Sequence, residues 1–173
     1  MAKIFPGRFT AQISTKITEP FVFLVLGVRI NRPLQIWKWF PAIFAALPML
    51  YSQIRYRKTG FIGGQVTYFW PGMGLTQYWS SFDDLEAYAR NKKHPHLRAW
   101  RRYNKVIGAD GSVGLWHEAY LVKPGYYEVV YENMPLFGLA AATRQVSIED
   151  GSGMARLRLG EMVKSPILSS TSS

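Results

Sequence analysis

The stretch Phe21–Ile30, FVFLVLGVRI, is apolar at both odd and even positions until Arg29. Successive side chains of a strand point to opposite faces of the sheet, so a strand that faces water on one side alternates between apolar and polar residues. A strand that is apolar at both parities is typical of one covered on both faces. The stretch therefore predicts a central strand with a layer of structure on each side.

A long, interrupted helix is predicted directly after this strand. Asn31 is a helix-capping residue type, and Pro33 suits a first helical turn. Apolar residues then recur near helical spacing as far as Gly60, a residue type that ends helices. Proline removes a backbone donor, so we expect the helix to bend or restart at Pro41 and Pro48.

The remaining pattern completes a β-α-β-β-α-β order. Pro71-Gly72 is a turn signal between two strand-like runs, which indicates a hairpin. Ser81 begins a capping-box-like helix start, and His94-Pro95 begins a second helical stretch that ends at Gly108. The predicted strands after the first are 61–70, 73–80 and 113–122, and 126–131 is a further short strand that follows this order. This is an α+β, ferredoxin-like arrangement with an antiparallel sheet.

One domain is expected in a chain of this length, flanked by two short segments. We assign 1–20 to an N-terminal arm, 21–142 to the ferredoxin-like domain and 143–173 to a partly disordered C-terminal extension. An antiparallel sheet with helices on one face leaves its other face wet, which conflicts with the doubly apolar first strand. Two sheets packed face to face in a homodimer, a dimeric α/β barrel, would resolve the conflict.

The composition limits the classes of metal site and binding partner that we expect for this protein. The 173 residues include no cysteine, which excludes disulfides and thiolate metal sites and is typical of a cytoplasmic protein. The net charge is +10, but its basic residues lie in short separate clusters, so nucleic acid is not the expected partner. No secretory signal or membrane span is apparent. Contact of the aromatic segment 34–51 with a membrane surface is an open alternative to a core helix.

Five short motifs resemble the DUF4188 family, monooxygenase-like proteins of the dimeric α/β-barrel superfamily. The resemblance extends over about residues 5–140, and the combination is more specific than any single motif. The motifs are Gln77-Tyr-Trp-Ser-Ser81, Leu85-Glu-Ala-Tyr-Ala-Arg90, His96-Leu-Arg-Ala-Trp100, Val113-Gly-Leu-Trp-His-Glu118 and Asn133-Met-Pro135.

The resemblance implies a homodimeric barrel with a pocket in each subunit between the helices and the sheet. Members of the superfamily include cofactor-free monooxygenases that form quinones from polycyclic phenols. More distant members are haem enzymes such as chlorite dismutases and aldoxime dehydratases. Small pathway proteins of this broad class also act as cyclases or isomerases in natural-product biosynthesis.

His117 and Glu118 stand side by side in the apolar strand 113–122, and alternation sends them to opposite faces. A neutral imidazole on an apolar face suits a general base toward a phenol or an enolisable carbon. The alternative is a core histidine satisfied by hydrogen bonds. Glu118 is expected to pair with an arginine across the dimer interface.

Further polar and aromatic residues are candidates for a pocket that holds a flat, apolar ligand. The amide of Asn133 suits an enolate or phenolate oxygen, although an Asx-type turn before Pro135 explains it equally well. Each aromatic residue of the set is also compatible with a plain core position. The candidates for substrate binding are Gln77, Trp79, Trp100, Asn104, Trp116 and Met134.

No metal is predicted, because the three histidines are not spaced as metal ligands and no acidic residues cluster near them. Haem, the low-ranked alternative, would have His94, His96 and His117 as its only candidate axial ligands. An RNA-binding module has the same element order, but its signature aromatic sequence is missing here. The function that the family resemblance implies is a cofactor-free monooxygenase of a hydrophobic polycyclic, polyketide-like or terpenoid compound, with a non-redox cyclase or isomerase as the alternative.

Overall fold

The computed structural model of the chain describes residues 3–12, 20–44, 51, 60–91, 101, 103–105, 108–124 and 126–147. These residues form two antiparallel sheets and helices, which gives the α+β class predicted from the sequence. Residues 103–105 are helical as well. In chain order the elements are β1 (Ile4–Gln12), β2 (Phe21–Ile30), α1 (Ile36–Phe44), β3 (Phe61–Phe69), β4 (Gly72–Trp79), α2 (Phe82–Arg90), β5 (Val113–Val122), β6 (Tyr131–Pro135), α3 (Gly138–Ala142) and β7 (Arg144–Ser147).

The main sheet has the strand order β3-β4-β2-β5, and all its neighbours are antiparallel. β2 lies inside the sheet, as its apolar sequence predicted. Val22 and Leu24 point to one face, where they pack with Trp79 of β4 and Tyr88 of α2. We call this face the helix side. The ferredoxin-like order of strands and helices is therefore confirmed.

The opposite face of the main sheet, which we call the second side, is partly covered by the chain itself. A smaller sheet of order β6-β1-β7, together with α3, packs against the second-side residues Phe21 and Tyr78. Phe9, Ala11, Leu139 and Ala140 form the other half of this cluster. A layer of the same chain thus buries part of the face that we expected a partner subunit to cover; the homodimer itself stays a prediction.

The smaller sheet uses segments that the sequence analysis placed outside the domain. β1 lies in the predicted N-terminal arm, and it pairs with β6 on one edge and β7 on the other. β7 lies in the predicted C-terminal extension. The strand predicted at 126–131 was wrong in position, because 127–130 is irregular and the strand begins at Tyr131. A strand needs a hydrogen-bonding partner, and this one is β1, more than 100 residues away.

The local signals around the hairpin and α2 were accurate. The turn at Pro71 joins β3 and β4 as predicted. The side chain of Ser81 accepts a 3.1 Å hydrogen bond from the backbone nitrogen of Asp84 and caps α2. Gly108 has a φ of 53°, a left-handed conformation that suits glycine after a helix.

α1 departs from its prediction at both points where a specific residue was invoked. It begins at Ile36 rather than near Pro33, because Asn31 donates its side-chain amide to the carbonyl of Gly111 instead of capping the helix. Pro41 lies inside α1 without ending it. The predicted restart at Pro48 and the start at His94-Pro95 lie outside the described residues, as does the tail beyond residue 147.

No helix in the described segments is both long and apolar enough to span a bilayer.

Candidate functional site

His117 lies on the helix side of β5, one of the two edge strands of the main sheet, in an apolar row. It is directly opposite Leu26 of β2, a helix-side residue of the same parity as Leu24. Leu115 and Leu121 of the same row are 41% and 61% exposed. His117 is itself exposed rather than buried, which corrects the expectation of a buried imidazole. The row offers an apolar surface that has an imidazole at its centre.

Glu118 points to the second side, as alternation predicted. Its carboxylate accepts a short hydrogen bond from the hydroxyl of Tyr120, two residues along the same face. This bond, with smaller contributions from desolvation and from the charge of Glu118, raises the pKa of Tyr120. His117 and Glu118 are therefore on opposite faces with separate surroundings. The expected arginine partner of Glu118 in a second subunit stays a prediction.

Gln77 and Trp79 share the helix side with His117, but both are core residues. Trp79 is fully buried, and its ring contacts those of Phe61 and Tyr88 at centroid distances of 5.3 and 5.2 Å. The indole nitrogen of Trp79 donates a 3.0 Å hydrogen bond to the side-chain oxygen of Gln77. The two candidate ligand-binding groups thus bond to each other in the interior.

Trp116 lies on the second side, over a patch without side chains. Its indole nitrogen is 3.0 Å from the point where a Cβ on Gly27 would lie, so the ring rests on that glycine. The ring of Phe69 covers Gly72 in the same way and meets Trp116 at 6.1 Å and an angle of 61°. The glycines of β2 and β4 therefore allow the two aromatic rings to lie close to the backbone of the sheet.

Asn133 and Met134 belong to β6 in the smaller sheet. The side-chain oxygen of Asn133 accepts a 3.0 Å hydrogen bond from the backbone nitrogen of Gly7. Asn133 has a φ of 51°, and the pairing of β1 with β6 shifts register at this point. The amide of Asn133 thus serves the long-range pairing of β1 with β6, a contact that is different from the Asx-type turn before Pro135 offered by the sequence. Met134 packs at the margin of the cluster between the sheets.

Tyr103 and Asn104 are described residues of the second predicted helix, near the start of β5. Asn104 is exposed, and the adjacent Tyr103 donates a 2.9 Å hydrogen bond from its hydroxyl to the carbonyl of Val113. Desolvation, and then the charge of Asp110, raise the pKa of Tyr103. Trp100 lies outside the described residues.

The candidate residues therefore divide between the two sides of the main sheet. His117, Gln77 and Trp79 share the helix side, whereas Trp116 lies on the second side. β6 belongs to the smaller sheet, which packs against the second side. His117 and Asn133 do not form a common site within the chain. The sequence does not predict which candidate residues share a pocket, because the side on which the smaller sheet packs depends on pairings between distant segments.

A polar cluster that the sequence analysis did not assign lies where α3 meets the main sheet. The backbone nitrogen of Gly138 donates a 2.9 Å hydrogen bond to the side-chain oxygen of Gln65. The hydroxyls of Tyr131 and Tyr78 lie 3.2 and 3.4 Å from the position of a Cβ on Gly138. Desolvation and the neighbouring Tyr131 raise the pKa of Tyr78 to about 12. No local motif signals this cluster, which joins β3, β4 and β6.

Across the described ranges, no group of three or more histidine and carboxylate side chains is placed to hold a metal ion.

The solved structure of an aldoxime dehydratase shows the fold. The chain is similar to an aldoxime dehydratase, with a TM-score of 0.57 and 16% identity over 90% of this chain and 44% of that one. It is also similar to a Bacteroides thetaiotaomicron protein described as a possible oxidoreductase. That protein has a TM-score of 0.46 and 13% identity over 60% of this chain and 98% of its own.

Sequence comparison shows the family. Monooxygenase af470 of Aspergillus fumigatus is 29% identical over 149 residues, which cover 77% of this chain and 53% of that protein. The chain thus spans about half the length of this curated relative. A family model described as monooxygenase af470-like matches residues 21–139, more than half of the chain, and confirms the resemblance to monooxygenase-like proteins. The chain belongs to the monooxygenase af470-like family.

Proposed function

We propose that the chain is a monooxygenase-type enzyme that oxidises a hydrophobic, polycyclic small molecule without a cofactor, with His117 as the general base. The observation that carries the proposal is the exposed imidazole of His117 in the apolar row of β5. Membership of a family described as monooxygenase-like gives the reaction class. The buried cluster around Trp79 lies on the same face of the sheet and forms rigid core beside the row of His117.

The row around His117 suits a flat apolar substrate. Leu115, Ala119 and Leu121 share its parity, so a planar ring system laid along β5 would cover apolar side chains on both sides of the imidazole. Covering these side chains would remove apolar surface from water, which favours binding. The same cover would exclude water from His117 and strengthen its interaction with a charge that forms on the substrate.

The chemistry begins with proton transfer from an activated CH2 group of the substrate to a ring nitrogen of His117. The resulting carbanion passes one electron to dioxygen, and the two radicals recombine with formation of a carbon–oxygen bond. The peroxide anion takes up a proton from the imidazolium of His117. Loss of water from the hydroperoxide leaves a ketone, so one oxygen atom enters the product and the other leaves as water.

The charge of the anion is balanced by His117 itself in this scheme. The imidazolium formed in the first step lies beside the anion it has created and stabilises it. The amide of Asn133 is not needed, since it is engaged with Gly7 in the smaller sheet.

Oxidation of anthrone to anthraquinone tests the proposal, because anthrone has one CH2 group of the required acidity and the net reaction consumes one dioxygen. Uptake of oxygen by the purified chain is measured together with the product. His117→Gln should lower the rate by about a hundredfold to ten-thousandfold, the usual contribution of a general base. Glu118→Gln is the matched control, because this neighbour faces the other side, and its rate should stay near that of the unchanged chain.

Three results would overturn the proposal. The first is equal oxygen uptake by His117→Gln and the unchanged chain. The second is a product without added oxygen, which would favour the cyclase or isomerase alternative. The third is a Soret band in the visible spectrum of the active protein, which would favour a haem enzyme.

A further inference from the structure

One end of the main sheet, with the helix α1 that follows β2 there, presents six large apolar side chains to solvent. We name this the docking end and define it by Leu34, Ile36, Trp37, Phe40, Phe44 and Trp70. Trp70 is 95% exposed, Leu34 is 87% exposed and Trp37 is 69% exposed. Burying large side chains of this kind stabilises a protein, so their exposure indicates a surface that meets a partner.

Hydrogen bonds hold the parts of the docking end together. The backbone nitrogen of Ile30, at the end of β2, donates a 2.8 Å hydrogen bond to the carbonyl of Pro71, next to Trp70. On the other side, the backbone nitrogens of Asn31 and Arg32 donate to the carbonyl of Ser112. The turn of the β3–β4 hairpin and the start of α1 are therefore fixed side by side.

α1 has the pattern of an amphipathic helix with its apolar face outward. Trp37, Phe40 and Phe44 recur at helical spacing and are all exposed, while Lys38 and Trp39 on the other face are half-buried. Lys38 forms an ion pair with Asp110 in the loop before β5, and Trp39 donates a 2.9 Å hydrogen bond to the carbonyl of Pro33. These contacts fix the rotation of α1, so its outward apolar face is built in.

The charge at this end is positive. Arg29, Arg32 and Lys105 are exposed there, Lys105 lying on the helical segment whose Tyr103 bonds to Val113 at the start of β5. Among the described residues the carboxylate at this end is Asp110, which Lys38 neutralises. Asp83 and Asp84 are in the first turn of α2 at the opposite end of the sheet, where Asp84 lies beside Gly60, and Glu86 of the same helix pairs with Arg90.

We propose that the docking end binds the surface of an anionic lipid membrane, with the aromatic face of α1 and Trp70 in the headgroup region. Tryptophan combines an apolar ring with a hydrogen-bonding nitrogen and suits the boundary between water and lipid. Flanking arginine and lysine residues are attracted to anionic headgroups. If two copies of this chain met through their docking ends across a two-fold axis, Arg29 and Arg32 would lie close to the equal charges of the other copy.

Flotation of the full chain with lipid vesicles tests the proposal. We expect binding to vesicles of phosphatidylcholine mixed with phosphatidylserine, weaker binding to phosphatidylcholine alone, and a loss of affinity as salt is added. Trp37→Ser/Trp70→Ser should weaken binding at least about tenfold. Phe82→Ser/Tyr126→Ser is the matched control, because both aromatic residues are exposed at the opposite end, and it should bind as the unchanged chain does.

A charge variant keeps the test decisive if the double tryptophan variant fails to fold. Arg29→Gln/Arg32→Gln should weaken binding to the anionic vesicles by about fivefold per arginine, whereas Lys3→Gln/Lys123→Gln should leave it unchanged. Circular dichroism verifies the fold of each variant. The proposal is overturned if the unchanged chain does not float with anionic vesicles. It is also overturned if Trp37→Ser/Trp70→Ser and Arg29→Gln/Arg32→Gln each bind vesicles as well as their control variants do. A third contrary result is a dimer in sedimentation that Trp37→Ser/Trp70→Ser dissociates, in a chain that does not bind vesicles.

Discussion

The indole nitrogen of Trp79 donates a 3.0 Å hydrogen bond to the side-chain oxygen of Gln77, and both side chains are buried on the helix side of β4. A buried donor that loses its acceptor incurs the full cost of its desolvation. Gln77→Met retains an unbranched side chain of similar size but leaves the indole nitrogen without this acceptor. The variant should lose about 1–3 kcal/mol of unfolding free energy, measured by urea denaturation.

Trp79→Phe provides the control for this pair, because it removes the donor. In that background Gln77→Met should cost clearly less than it does in the unchanged chain. An equal cost in both backgrounds would show that the hydrogen bond does not account for the burial of Gln77.

The same pair shows how far the sequence predicted the site. Alternation placed His117 and Glu118 correctly on opposite faces of their strand, because the period of a strand fixes its faces. Whether a face is filled depends on which other elements reach it. Trp79 is enclosed by Phe61 and Tyr88, while His117 lies on the edge strand and is exposed. The order of strands was predictable from local signals, but the smaller sheet was not, because β1 finds its partners only after long-range folding.

The ion pair between Lys38 and Asp110 links α1 to the loop before β5 and makes stability depend on pH. Hydrogen bonds from the ammonium of Lys38 and from the backbone nitrogen of Ser112 hold the pKa of Asp110 well below its usual range. A depressed pKa contributes stability above the pKa of the unfolded state, about 3.9, and this is lost as the pH falls toward the folded value. Asp110→Asn should therefore lower Tm at neutral pH, and the difference from the unchanged chain should narrow on acidification.

Thermal unfolding measured from neutral pH down to about pH 2 checks this prediction. Lys38→Met should reproduce the neutral-pH loss, since it removes the first partner of the carboxylate. Lys123→Met, an exposed lysine in the turn after β5, should not. A difference between Asp110→Asn and the unchanged chain that stays constant with pH would contradict the assignment.

Gly27 lies under the ring of Trp116, whereas Gly114, a second strand glycine, has no ring over it and provides a matched control. A Cβ on Gly27 would lie 2.9 Å from the carbonyl oxygen of Met73 and 3.0 Å from the indole nitrogen of Trp116. Gly27→Ala should therefore cost about 1–3 kcal/mol in urea denaturation. Gly114→Ala, whose nearest contact is an ordinary 3.5 Å to the side chain of Asn31, should be neutral or slightly stabilising. Equal destabilisation by the two variants would rule out the close approach of Trp116 and Met73 as the cause.

Tyr78 is buried where α3 meets the main sheet, and desolvation with the neighbouring Tyr131 raises its pKa to about 12. A raised pKa contributes stability that is fully present below the unfolded value, about 10, and is lost as the pH rises toward the folded value. The chain should therefore lose unfolding free energy between about pH 10 and pH 12, and Tyr78→Phe should show a smaller loss over this interval. Chemical denaturation at a series of alkaline pH values measures both. Tyr126→Phe, which alters an exposed tyrosine, should retain the slope of the unchanged chain. If Tyr78→Phe retains that slope too, the phenol of Tyr78 titrates as an exposed tyrosine does, and the contact between α3 and the main sheet is open to water.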